Sequence, residues 1–70
     1  MIRHYAVYSA DPQFARVLNF LNTYSIQCEV HINRTRFWID DSRPEWCILT
    51  LKFYNSLHDC SGEENHSIGI

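Results

Sequence analysis

Cys28 and His31 in the stretch CEVH, with His58, Cys60 and His66 near the end of the chain, are of the residue types that ligate zinc. A structural zinc site needs four converging donors at recognisable spacings. Cys28 and His31 differ by an odd number of positions, so on an extended segment they point to opposite faces. His58, Cys60 and His66 stand in a polar segment with no second ligand pair, and no metal site is expected. A cysteine nucleophile needs a histidine base, an orienting group and oxyanion donors, and no local stretch supplies them. Asp40, Asp41 and Glu45 are the type of group that holds magnesium for phosphoryl transfer. They surround Ser42-Arg43-Pro44, which is turn composition, and aspartate favours turns by bonding its own backbone. We read Asp40 and Asp41 as an acidic knob. Gly62 and Gly69 are the chain's two glycines, so no phosphate-cradling loop or dinucleotide fingerprint is possible. The expectation is no catalytic residue, no metal, no cofactor and no enzyme.

Arg34, Arg36 and Trp38 are the one combination suited to stacking on a nucleic-acid base. The formal net charge of −2 gives no general attraction to phosphate backbones or anionic membranes. No run approaches the ~20 apolar residues of a membrane span, and no secretion signal is read at the start of the chain. Cys28, Cys47 and Cys60 are an odd set, which suits reduced thiols and a cytoplasmic protein. Cys28 and Cys47 lie in apolar segments and are expected to fill the core.

The elements that must position these residues follow from periodicity. Residues 2–9 are rich in strand formers. Asp11-Pro12 reads as a helix start, and Phe14, Val17, Leu18, Leu21 and Tyr24 fall on one helical stripe, with Phe20 off its centre. Residues 27–33 alternate, with Cys28, Val30 and Ile32 on one side. Residues 36–40 alternate again, with Phe37 and Ile39 inward, and the two segments form a hairpin. Residues 45–54, EWCILTLKFY, also alternate and are read as a further strand, with Cys47, Leu49, Leu51 and Phe53 inward. The expected fold is α+β, in the order β-α-β-β-β: a four-stranded, mainly antiparallel sheet with one amphipathic helix on one face. Residues 1–54 form a single compact domain, and residues 55–70 a polar C-terminal tail.

One helix covers one sheet face. The other face would then carry Arg36, Trp38, Asp40, Trp46, Ile48, Lys52 and Tyr54, with Tyr8 from the first strand if Tyr5 and Val7 point inward. Large apolar patches are rarely left in water, and Trp, Tyr and Arg dominate interface hot spots. The expected function is a small non-enzymatic protein-binding module, an inhibitor or regulator of a larger protein, as small proteins of phages often are by analogy. Trp38, Trp46, Tyr54 and Tyr8 would be its anchors, and Arg36, Lys52, Asp40 and Asp41 its polar rim. Single-stranded nucleic-acid binding on the same face is the less favoured alternative, and a structural homodimer or assembly subunit the third.

Overall fold

The computed structural model describes residues 1–61. The chain runs through β1 (Ile2–Tyr8), α1 (Phe14–Thr23), β2 (Cys28–Val30), β3 (Arg34–Asp40), α2 (Pro44–Phe53), a 3₁₀ turn (Tyr54–Ser56) and β4 (His58–Asp59). The strands form a four-stranded sheet in the order β2-β3-β1-β4, every neighbouring pair antiparallel. This is an α+β fold with the connectivity of a split β-α-β motif.

The sequence reading misplaces one element. Residues 45–54 are not the fourth strand. Helix α2 occupies Pro44–Phe53, and the fourth strand is β4, drawn from the segment read as a tail. The start of α2 is encoded in what looked like a turn. Asp40 Oδ1 accepts hydrogen bonds from the Ser42 amide (3.0 Å) and hydroxyl (2.8 Å), which turns the chain. Arg43 is extended, and Pro44 takes the first helical turn, where its missing N–H costs nothing. Glu45 stands in the first turn and Lys52 in the last, both favourable to the helix dipole.

Helix α1 starts and stops by local chemistry. Asp11 Oδ1 accepts from the Gln13 amide at 2.7 Å. At the other end Ser25 is left-handed, with φ of 54°. Its amide donates to the Asn22 carbonyl (3.2 Å), and the Ile26 amide to the Leu21 carbonyl (2.8 Å). These two bonds make a Schellman stop, with Ile26 packed on the core beside it.

Both helices pack on the central strands, α1 against β1 and α2 against β3. The core is Tyr5 and Val7 of β1, Phe37 and Ile39 of β3, Val17, Phe20 and Leu21 of α1, and Leu49 and Phe53 of α2. Phe37 and Ile39 point inward as expected, and β1, whose phase the sequence left open, turns Tyr5 and Val7 inward. Phe20 is buried and Tyr24 exposed, the reverse of the expected stripe. Cys28 and Cys47 are exposed rather than core filler, while Cys60 is buried. Cys28 and Val30 share the phase of the core residues Phe37 and Thr35, but β2 is an edge strand, to one side of the strands that the helices contact. No helix among the described residues is long and apolar enough to cross a membrane.

Candidate binding surfaces

The aromatic and charged residues singled out in the sequence divide between two surfaces on opposite sides of the sheet. The first is the sheet face away from the helices. Antiparallel partners share a face, so the register places His4 beside Trp38, Ala6 beside Arg36 and Tyr8 beside Arg34. The His4 and Trp38 rings stack at 5.8 Å, inclined by 18°. Tyr8 meets His58 of β4 edge-on at 4.7 Å. Between these ring pairs, Ala6 is 1% and Arg36 3% exposed. Glu29 pairs in register with Arg36, and its carboxylate lies 3.4 Å from the His31 imidazole. Trp38, Tyr8 and Asp40 therefore lie on the face where the sequence reading put them; Arg36 lies on it too, but buried in its middle rather than at an exposed rim. Most of the expected tail, residues 62–70, lies outside the described residues.

Trp46, Lys52 and Tyr54 are not on that face, because their segment is a helix. Trp46 lies on the helix side of the sheet, its ring 4.9 Å from that of Tyr5, and it packs against the core. Asp41 closes the sheet end, its amide donating to the Met1 carbonyl at 3.0 Å. Asp40 and Asp41 also lie 3.6 and 3.5 Å from the Met1 ammonium. The Ser42 bonds hold the Asp40 carboxyl below the usual aspartate value, the backbone amide contributing most. The acid pair is thus engaged within the chain.

The second surface is the outward side of α2. Trp46, Leu49 and Phe53 recur at helical spacing and turn inward. Cys47 and Leu51, one turn apart, lie on the opposite side, and Tyr54 follows α2 as the first residue of the 3₁₀ turn. Cys47 is exposed, Leu51 is 86% exposed and Tyr54 59%. Lys52 lies to one side of this stripe, on an open groove of about 870 Å³ between α1 and α2 that Arg16, Asn19, Phe20 and Ile48 also line. The sequence reading missed this stripe because it put Leu51 and Cys47 in the core. Pro44-Glu45 followed by Lys52 seven residues on is the signal that would have found the helix.

A third group ties β4 to β1. Arg3 Nε donates to the Tyr5 hydroxyl at 2.8 Å, and the Arg3 guanidinium pairs with Asp59. Burial pushes the Tyr5 hydroxyl pKa up, against the opposing pull of Arg3. The Ser61 amide lowers the Asp59 carboxyl. These contacts hold the sheet edge together.

Among the described residues, no group of three or more His, Cys, Asp and Glu could hold a metal ion. Cys28 and His31 project to opposite faces, as their spacing predicts. No family model matches this chain, and no curated protein or solved structure is detectably similar to it.

Proposed function

We propose that this protein is a small non-enzymatic, cytoplasmic binding module that acts by occupying a larger protein, in the manner of an inhibitor or regulator. The observation that carries this reading is the outward stripe of α2. Leu51 is 86% exposed on a helix whose other leucine at the same spacing from its neighbours, Leu49, is fully buried. A short helix that presents Cys47 and Leu51 at i and i+4 suits an apolar groove on a partner, with the exposed Tyr54 just past its end as a further contact. Lys52 would set polarity at its edge. Trp46 takes no direct part, since it is packed on Tyr5.

The test is binding of a partner, captured with the wild-type protein, to Leu51→Arg. The expected result is a loss of at least about tenfold in affinity, the scale of a hot-spot residue, with the melting temperature unchanged. Equal affinity for both proteins would remove α2 from the interface.

A second reading is supported by the other surface. Trp38, His4 and Tyr8 present rings beside Arg34 on a sheet face that no helix covers among the described residues, and such faces stack single-stranded bases. The net charge of −2, and Glu29 and Asp40 on that face, count against it. Binding through phosphates would weaken steeply with salt, and Trp38→Ala rather than Leu51→Arg would abolish it.

A further inference from the structure

The outer edge of β2 is unguarded backbone. β3 pairs with one side of β2, and no strand among the described residues pairs with the other. The direction of its backbone groups follows from the hairpin. The His31 amide donates to the Arg34 carbonyl at 2.8 Å, so His31, and by alternation Glu29, turn their N–H and C=O toward β3. Cys28 and Val30 therefore turn theirs outward. The same positions expose apolar side chains: Val30 is 77% exposed, Ile32 at the hairpin turn is fully exposed, and Cys28 is exposed. Natural edges are usually protected by lysine, proline or a bulge, and CEVHI (28–32) contains neither of those residues.

We infer that β2 pairs antiparallel with β2 of a second copy of this chain, about a two-fold axis at Val30, so that one sheet runs through both subunits. Backbone direction limits the register, because only residues that turn outward can bond across the new edge; axes at Cys28, Glu29, Val30 and His31 all meet that condition, and the side chains choose among them. Val30 opposite the partner's Val30 satisfies this for both chains. The same register sets Glu29 opposite the partner's His31, and His31 opposite the partner's Glu29, an acid facing a base twice over. It also brings Cys28 toward the partner's Ile32, apolar toward apolar. A shift of the axis to Cys28 sets Glu29 opposite the partner's Gln27 and loses both acid–base pairs. An axis at Glu29 keeps the backbone bonds, with Cys28 opposite the partner's Val30, but sets two acids face to face, and an axis at His31 sets Glu29 opposite the partner's Asn33. The segment is thus complementary to itself in one register. This pairing uses the sheet edge rather than α2, so it holds or fails independently of the proposed function.

Sedimentation velocity from about 10 µM to about 1 mM, the affinity range of a small interface, tests it on the intact protein. The wild type is expected to move from monomer to dimer across that range. Val30→Lys, at an exposed position that leaves the core untouched, is expected to stay monomeric. His31→Glu sets acids opposite one another and is expected to raise the dimer dissociation constant about tenfold. Glu29→His combined with His31→Glu restores both facing pairs and is expected to recover most of that loss. A wild type that stays monomeric at the highest concentration would overturn the proposal, as would a Val30→Lys dimer as tight as wild type. A double swap no tighter than His31→Glu alone would overturn the register.

Discussion

Leu49 and Leu51 are the same residue type two positions apart on one helix, and they live in different environments. Leu49 is fully buried between α2 and the sheet, in contact with the cluster that includes Phe37, Phe53 and Val17, while Leu51 points into solvent beside Cys47 and Tyr54. The inward side of α2 holds the fold. The outward side makes no contribution to the core, yet it is as apolar in composition. A surface helix normally keeps its polar residues on the outer face. Here Glu45 and Lys52 mark the ends, and the outer face between them is left to Cys47 and Leu51. Stability therefore does not account for the outer face, and the proposed binding role would.

The largest effect is expected from Leu49→Ala. It removes a fully buried side chain and should cost about 2–5 kcal/mol in denaturant unfolding, a large part of the stability of so small a domain. A cost below 1 kcal/mol would break the contrast between the two faces. Leu51→Pro sharpens it from the backbone side. It removes no buried side chain but breaks a helical hydrogen bond, and should cost about 3 kcal/mol or more. If residues 45–54 were an edge strand, the same change would be far milder.

Acid acts on both faces together, because it acts on the start of α2 and on the β1–β4 edge. The folded pKa values of Asp40 and Asp59 are lowered. Their contribution is therefore complete above the ordinary aspartate value of about 3.9 and is lost as pH falls through the lower folded values. Tyr5 has the opposite sign. Its pKa is raised, so its contribution is complete below the ordinary tyrosine value of about 10 and is lost as pH climbs through the folded one. Melting temperature against pH should fall at both ends, and a profile flat below pH 4 would contradict the Asp40 and Asp59 contacts. The smallest effect on stability is expected from Leu51→Ala, within about 0.5 kcal/mol, while partner affinity drops.

Much of this fold was legible in the residues. Residues 2–9 read as a strand without fixing which side faces the core, while the alternation of Phe37 and Ile39 and the stripe of Val17 and Leu21 each satisfied one period only. Residues 45–54 satisfied two. Apolar residues recur there at 47, 49, 51 and 53, which suits a strand. They also recur at 46, 49 and 53, which suits a helix. When nearly every position is apolar, period does not decide, and the start signal does: Asp40 bonded to Ser42, followed by Pro44 and Glu45. Choosing the strand moved Trp46, Lys52 and Tyr54 onto a face they do not share. Trp38 and Asp40 came out on the expected face because β3 was read correctly, while Arg36 shares that face but is buried there. The exposure of Cys28 and Val30 was not readable, since alternation tells which way a side chain points but not whether a helix lies over it.

The central claim is that the outward side of α2 is a binding surface that the fold does not need. The most direct measurement is a paired one on Leu51→Arg: its melting temperature, and its capture of protein from nuclease-treated lysate beside the wild type. The account predicts an unchanged melting temperature, a stoichiometric protein held by the wild type, and loss of that same protein with the variant. A variant that unfolds, or one that holds the same partner as well as wild type, would contradict it.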